Sequence, residues 1–352
     1  RLARNGRQRL ARNGRQRLAR NGRQGLATAD NMTYRYTLNG ARMANRSRVL
    51  VTGGAGFIGR RVVRALLAEG HEVTVADLRA FPDPQVRSVT GDLCDPDGPG
   101  RAVRPGTDVI IHLAAFTYVL ASVQDPVSTY RINVDATARL LERARENDVQ
   151  AFLLASTNAV TGNVGSAVIT EQTVLRPLTP YGATKAAAEM LLSSYANCYG
   201  ITGAALRFSN VYGPGMAEKD SFVPRLMRAA RDGEGVQVRG DGSMRRDLVH
   251  VDDVVQGVLA AWRARHTGPL ILAGGTSVSV NEMVETARRV TGAPIPVEHV
   301  PVPNGEMPAV VVDISAARAI GYQPTTGLEA GMATVWPEFR PGGAPGPDGE
   351  AR

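Results

Sequence analysis

The run Val49-Leu50-Val51-Thr52-Gly53-Gly54-Ala55-Gly56-Phe57-Ile58-Gly59 leaves this chain few ways to fold. A short β-branched stretch feeds a glycine-rich turn. The turn feeds a segment with apolar residues at 62, 63, 66 and 67, the spacing of one helix face. The order is strand, turn, helix. Glycines at such a turn take backbone conformations closed to other residues, and they let an anion approach a helix N-terminus whose unpaired N–H groups and dipole favour negative charge. In that context the pattern predicts a dinucleotide-binding fingerprint whose pyrophosphate rests on Gly53, Gly56, Phe57, Ile58 and Gly59. Asp77 closes the next predicted strand, Glu72 to Ala76, about twenty residues further on. A carboxylate there accepts the hydroxyls of an adenosine ribose and repels a 2′-phosphate, which favours NAD; Arg79 nearby leaves NADP open.

The rest of the first half alternates strand and helix patterns, which predicts an α/β fold, a Rossmann-type doubly wound parallel sheet, followed by a smaller C-terminal α/β lobe. The reading divides the chain into a leader over 1–45 and a dinucleotide-binding domain over 46–211 that also receives part of 247–262. A mainly substrate-binding lobe follows over 212–337, then a Pro/Gly-rich tail over 338–352 that reads as disordered. Val109-Ile110-Ile111-His112 is a buried strand running into the small residues Ala114 and Ala115, and His112 within it reads as a satisfied core histidine. A helix is expected within 126–147, with Val134, Ala138, Leu141 and Ala144 on one face. The apolar strand at 150–155 delivers Ser156-Thr157-Asn158 to the carboxyl edge of the sheet, where open α/β sheets bind their ligands. Tyr181 and Lys185 then fall four residues apart at the start of a helix, so their side chains share a face. Asp252 and Asp253 read as an N-cap for a helix over 254–262, and Ser279 opens another helix.

Charge deceives at first sight. The chain is +8 over 352 residues, but residues 1–48 hold thirteen arginines against one acid, a net +12, so the remainder is −4. Within that leader Arg-Leu-Ala-Arg-Asn-Gly-Arg-Gln occurs three times without change, with a glycine in every copy. The repeat fits no heptad or solenoid period and reads as disordered, a product of tandem coding repeats or of a start placed too early, with Met32 and Met43 as candidate true starts. A polyanion-binding arm is the sharper alternative. The mildly acidic body argues against a nucleic-acid partner. No window approaches the ~18 apolar residues of a membrane span, and the leader lacks the apolar centre of a signal peptide. Cys94 and Cys198 form no paired motif, and no His or Cys cluster suggests a metal, so a reduced, cytoplasmic setting is expected.

Taken together, the landmarks resemble an extended short-chain dehydrogenase/reductase of the NAD-dependent epimerase/dehydratase family, the UDP-glucose 4-epimerase-like nucleotide-sugar enzymes. They are Thr52 to Gly59, Gly91-Asp92-Leu93, His112-Leu113-Ala114-Ala115, Ser156-Thr157, Tyr181 with Lys185, Leu206 to Gly215 and Arg246 to Asp253, and they span about residues 48 to 337. The resemblance implies that Asp92, Leu93, Leu113, Ala114 and Ala115 join the cofactor site. It also implies that Lys185 holds the nicotinamide ribose, and that Tyr181 takes a proton from a substrate hydroxyl while Thr157 hydrogen-bonds the same oxygen. A free phenol ionises near ~10, and the Lys185 ammonium with the positive nicotinamide is expected to bring it down. Asn158, Asn210, Phe222 and Arg246 match positions facing a nucleotide-diphosphate sugar, and a guanidinium fork suits phosphate oxygens.

Three departures bear on the reaction. Asn158-Ala159 stands where the 4,6-dehydratases of the family carry an Asp-Glu pair that protonates the leaving hydroxyl and removes the C5 proton. Thr161 replaces a usual tyrosine, which leaves the shape of the sugar pocket open. Near Asn304-Gly305-Glu306 many relatives carry an arginine that adds a phosphate contact, yet no arginine occurs between 290 and 317. A 4-epimerase is the expected activity. A dehydrogenase, ketoreductase or dehydratase of the same family is the alternative within the fold. A non-catalytic dinucleotide-binding protein, or a polyanion-binding adaptor working through the leader, is the alternative outside it. By resemblance, helices within 126–147 and 181–199 would form a homodimer.

Overall fold

The computed structural model describes residues 46–302, 309–340 and 342. The expectations placed on 1–45, on 304–306 and on 343–352 lie outside them. Two units separate, 1–47 and 48–352, and the second carries every element below.

Seven parallel strands form the central sheet: β1 (Arg48–Thr52), β2 (Glu72–Asp77), β3 (Arg87–Thr90), β4 (Val109–His112), β5 (Ala151–Thr157), β6 (Thr202–Phe208) and β7 (Gly268–Leu272). Their order across the sheet is β7-β6-β5-β4-β1-β2-β3, and every neighbouring pair is parallel. Parallel strands need crossover helices on both faces, which buries them and explains apolar runs such as Val109-Ile110-Ile111. The crossovers include α1 (Phe57–Ala68), α2 (Ala136–Glu146), α3 (Pro180–Tyr199) and, later in the chain, α5 (Val251–Arg263). Leu50, Ile110, Phe152 and Leu154 of the sheet pack against Leu140, Leu141 and Leu192 of the helices in one core. The direction of winding reverses at β1, with β2 on one side and β4 on the other, so the crevice for a ligand opens at the carboxyl ends of β1 and β4.

Between α3 and α5 the chain enters a second body. It holds a three-stranded sheet of Asn210–Tyr212, Arg245–His250 and Ser277–Ser279 and a parallel pair of Val236–Arg239 with Val297–Val300. The helices α4 (Phe222–Asp232), α6 (Val280–Thr291) and α7 (Leu328–Val335) complete it. Leu226, Met227, Met283, Val284 and Met332 form its own core, and Phe57 of the glycine turn packs against that core. The central sheet is completed by α5 and also by β7, which lies beyond the 247–262 segment expected to return to it. Glu338, Phe339 and Arg340 are not a loose tail: Phe339 is 3% exposed in the second core, and Glu338 accepts a hydrogen bond from Gly215 N.

Two local expectations shift for identifiable reasons. A π-helical turn at Arg131–Asp135 precedes α2 and adds a residue to that turn. The buried face therefore runs through Asn133, Val134, Thr137, Leu140, Leu141 and Ala144, and Ala138 is only half-buried. At α5 the cap is His250, whose Nδ1 accepts from Asp252 N at 3.3 Å, and the two aspartates fall in the first turn. Asp252 there pairs with Arg61 at 2.8 Å, while buried Asp253 accepts from Thr325 N and Thr326 N. Ser279 caps α6 as expected, in a capping box with Glu282.

His112 is the core residue that its apolar strand predicted. Its Nδ1 meets Thr52 Oγ1 at 2.6 Å and its Nε2 meets Thr137 Oγ1 at 2.9 Å. Burial, with Lys185 adding to it, pushes its pKa from 6.5 to about 3. The unfolded chain therefore binds a proton below 6.5 that the folded chain refuses until about 3, so stability falls as pH drops through that window. Between pH 7 and pH 5 this single group removes about 2 kcal/mol. Urea melts at the two pH values should show that loss, and His112→Gln should flatten it.

Candidate active site

The cofactor cradle is built by close backbone approach. Gly53 has φ +68, and a Cβ on it would stand 2.7 Å from Ala114 N, so the end of β1 and the residues after β4 meet only because no side chain intervenes. A Cβ on Gly59 would lie 2.6 Å from Gly54 Cα and closer still to the Gly53 carbonyl. Gly56 differs. Its backbone is extended, its nearest neighbour on the Cβ side is Gly53 O at 3.2 Å, and no side chain caps the helix it opens. The first turn of α1 thus begins with no side-chain cap and no side chain on Gly56 to crowd its N–H groups.

Asp77 ends β2 beside this turn. Its carboxylate accepts from Ala55 N at 3.0 Å and from Arg79 N at 3.2 Å, which fixes it at the edge of the cradle. Asp92 is exposed and accepts from Cys94 N at 2.8 Å, Leu93 packs partly into the sheet core, and Leu113, Ala114 and Ala115 are half-buried after β4. Cys94, buried near Asp92, has its thiol pushed up to about 11, mainly by burial, so it is no nucleophile at neutral pH. These residues fit a dinucleotide: an open helix N-terminus for the pyrophosphate, a carboxylate for a ribose, and small residues along the sheet edge.

Opposite the cradle, β5 ends at Thr157 and α3 begins at Pro180. Thr179 accepts from Gly182 N at 3.2 Å as the cap, and Pro180 fills the first helical position. Tyr181 follows with its N–H held by Ser122 Oγ at 3.1 Å and its carbonyl accepting from Thr184 Oγ1 at 2.9 Å. So fixed, the Tyr181 phenol stands within the influence of the Thr157 hydroxyl. Burial raises the phenol above its ordinary range, and Thr157 pulls it partly back. The protein alone therefore does not lower Tyr181, contrary to the expectation for Lys185. That ammonium is itself buried and brought down to about 8, with Glu189 opposing the fall.

Tyr181, Lys185 and Glu189 form a stripe along α3, and the last of them anchors the site from behind. Glu189 takes Arg207 on both carboxylate oxygens, Nε to Oε1 at 3.1 Å and Nη2 to Oε2 at 2.8 Å, and it also accepts from Ser156 Oγ. Ser156 lies opposite Arg207 in the β5–β6 register, so the ion pair ties α3 to both strands one residue before Thr157. Asn133, in the π turn, donates to Thr184 Oγ1 at 3.1 Å and brackets Phe116 through both its N and O, which joins the loop after β4 to the start of α3. The sequence reading passes over Glu189, Arg207, Ser122 and Asn133. A charge inside the apolar run of β6 is the one signal that points to any of them.

The substrate-side residues come together less tightly. Asn210 donates to Asp247 O at 2.9 Å, one residue from Arg246, on neighbouring strands. Arg246 Nη1 reaches the Arg245 carbonyl at 2.9 Å. Asp247, the next residue, is buried and accepts from Ser209 Oγ at 2.6 Å and Gly274 N at 2.8 Å. Phe222 opens α4, half-buried against the second core. Asn158 follows Thr157 in a 3₁₀ turn, 8% exposed. Among the described residues no cluster of His, Cys, Asp or Glu could hold a metal, and no helix is long and apolar enough to cross a membrane.

A glycine cradle at a sheet switch point, with half-buried Thr157 and Tyr181 beside buried Lys185 on neighbouring elements, agrees with the known proteins this chain resembles. The model of the NAD dependent epimerase/dehydratase family matches residues 49–272. The chain belongs to this family. Its cofactor is NAD, and it is an enzyme of the extended short-chain dehydrogenase/reductase class. It is 35% identical over 307 residues to a dTDP-glucose 4,6-dehydratase of Streptomyces griseus, covering 82% of this chain and 93% of that one. It is 31% identical to a putative UDP-glucose 4-epimerase of Methanocaldococcus jannaschii, covering 82% and 96%. Among solved structures, MoeE5 in complex with UDP-glucuronic acid and NAD is 36% identical with a TM-score of 0.76, covering 82% of this chain and 98% of that one. The Thermus thermophilus UDP-glucose 4-epimerase complex with NAD is 32% identical, also at TM-score 0.76, covering 83% and 98%. This family member therefore has both epimerases and dehydratases among its relatives.

Proposed function

We propose that this chain is a nucleotide-sugar 4-epimerase in which residues 46–211 hold the cofactor and 212–337 hold most of the substrate. Thr157 and Tyr181 bind the C4 hydroxyl of the sugar, Tyr181 takes its proton, and the same phenol returns a proton to the C4 oxygen after the sugar has turned over as a C4 ketone. When bound, NAD would take the hydride from C4 and, as its reduced form, give it back to the other face of the ketone, and its positive oxidised ring would favour the phenolate. Lys185 holds the nicotinamide ribose. Gly53, Gly56, Phe57, Ile58 and Gly59 receive the pyrophosphate, Asp77 a ribose, and Asp92, Leu93, Leu113, Ala114 and Ala115 border the rest of the dinucleotide. Asn210 and Arg246 serve the substrate diphosphate, with Phe222 and Asn158 toward its two ends.

The observation that carries this reading is that Tyr181 acts together with Thr157 at the end of the strand Ala151–Thr157, in a site whose next two residues, Asn158 and Ala159, offer no acid. Hydride exchange at C4 needs the phenol alone. Dehydration at C5 and C6 needs a further proton donor and acceptor that this turn lacks. The apolar side chains of Val127 and Met190, 76% and 62% exposed, support a homodimer through the helix at Pro126–Tyr130 and α3. Two free thiols, one of them exposed, support a reducing, cytoplasmic setting.

The full chain incubated with UDP- and dTDP-hexoses should interconvert the 4-epimers with no mass change and no stoichiometric NADH. Loss of a water from the product would establish dehydration instead. NADH formed one for one with sugar would establish a dehydrogenase.

A further inference from the structure

Of the 41 lysines and arginines in the chain only two are lysines, Lys185 and Lys219. At 185 the difference matters: an arginine would bring a planar fork that holds its charge everywhere, whereas a lysine brings one compact ammonium whose charge depends on what surrounds it. Lys185 is buried, and among the described residues its ammonium makes no hydrogen bond and no ion pair. One turn further along α3 stands buried Glu189, within the reach of a helical i,i+4 pair. The two do not pair, because the carboxylate is already taken. Arg207 Nε donates to Oε1 at 3.1 Å and Oε2 at 3.2 Å, Arg207 Nη2 donates to Oε2 at 2.8 Å, and Ser156 Oγ donates to Oε1. Arg207 is held in turn by the Glu171 carbonyl at 3.1 Å, and the Glu171 carboxylate is turned to Ile271 N at 3.0 Å. A buried ammonium thus lies beside a buried carboxylate that two strands clamp and keep from turning toward it.

We infer that Glu189 is a positioning residue: clamped by Arg207 and Ser156, it keeps Lys185 charged without pairing with it, and so leaves that ammonium free for the nicotinamide ribose. The inference rests on the reading of Lys185 above and deepens it by naming what governs the charge. Few ionisable groups surround Lys185. Tyr181 and Glu189 share its helix, His112 comes from β4 and Arg207 from β6. His112 stays neutral down to about 3, and burial favours the protonated Tyr181, so Glu189 is the carboxylate that acts on Lys185. Against that carboxylate, burial brings the ammonium down to about 8. The margin above neutral pH is then only ~1 unit, no more than one nearby opposite charge contributes. A released carboxylate would hold the charge more firmly but would occupy the ammonium itself, so the clamp matters as much as the charge.

The test is a pH titration of the full chain, after cofactor removal, carrying 13C-labelled lysine, whose two side-chain Cε signals are told apart by Lys219→Arg. Lys185 should titrate at about 8 in the parent. Glu189→Met combined with Arg207→Met replaces the ion pair by apolar groups, an exchange that buried pairs often tolerate, and thermal melts report that the variant is folded. It should lower the Lys185 midpoint by at least ~1 pH unit. Its NAD dissociation constant should then stand about fivefold above the parent's at pH 8 and match it near pH 6, where the ammonium is charged in both. Arg207→Met alone unclamps the carboxylate, which should raise the midpoint and weaken NAD binding at both pH values. A midpoint unmoved in the double variant, or lowered in Arg207→Met, would overturn the inference and leave the reading of Lys185 standing. A lowered midpoint with parental NAD affinity at pH 8 would show that the ammonium serves no ribose, and would remove that reading and the inference together.

Discussion

Tyr181→Phe should lower kcat by at least ~100-fold, the usual contribution of a general base, while NAD remains bound and the fold is unchanged. That factor corresponds to about 2.7 kcal/mol of transition-state stabilisation. The substitution removes one oxygen on which Thr157 acts, and Thr157 keeps its bond from Ala159 N. Tyr181 is placed by its backbone, through Ser122 Oγ and Thr184 Oγ1, so the ring of the variant should stand where the phenol stood. Single-turnover measurements of hydride transfer from a bound nucleotide sugar to NAD, with thermal melts alongside, separate the outcomes. A variant that melts like the parent and transfers hydride at the parent rate would remove Tyr181 from the chemistry. The raised phenol sharpens the point: burial favours the protonated Tyr181 in the protein alone, so acting as a base would require positive charge brought into the crevice rather than Lys185 by itself.

What the sequence made legible follows from how local the signals are. A strand, a glycine turn and an amphipathic helix within twenty residues announce the cradle, because each depends on neighbours in the chain. Tyr181 and Lys185 are equally local, four residues apart on one helix, and Thr157 is readable because an apolar strand must end somewhere and its carboxyl edge is where ligands sit. Glu189 with Arg207 is different. The pair joins a helix to a strand across eighteen residues, and its value lies in Ser156 meeting the same carboxylate, which no pattern in either segment discloses. Asn133 sits in a π turn whose extra residue changes the phase of the helix, so a 3.6-residue period misplaces the face around it. Asp253 stands at a helix start, the position of a cap, but its carboxylate holds Thr325 and Thr326, more than seventy residues away. Long-range polar contacts of this kind hold the site together, and they are set by packing rather than by period.

The glycines of the cradle separate cofactor binding from stability in a way two substitutions can expose. Gly59→Ala places a methyl against the backbone of Gly53 and Gly54, which cannot retreat as a flexible side chain would. Overpacking of this kind costs about 1–3 kcal/mol, and it should appear in urea melts even without NAD. Gly56→Ala meets only the Gly53 carbonyl, at 3.2 Å, on an extended backbone open to any residue. It should cost the cofactor-free protein about 1 kcal/mol or less, the scale of a changed helix cap. Its methyl instead occupies the approach to the first turn of α1. With NAD at a hundred times its dissociation constant the parent gains about 2.7 kcal/mol of stability from the ligand, and a variant bound tenfold more weakly gains about 1.4 kcal/mol. Melts of both variants after cofactor removal, with and without added NAD, should therefore show Gly59→Ala losing its stability before ligand is added and Gly56→Ala losing mainly the ligand's contribution. Full retention of that contribution in Gly56→Ala would place the pyrophosphate somewhere other than the helix N-terminus, and the family's cofactor would have to enter this crevice by a different face.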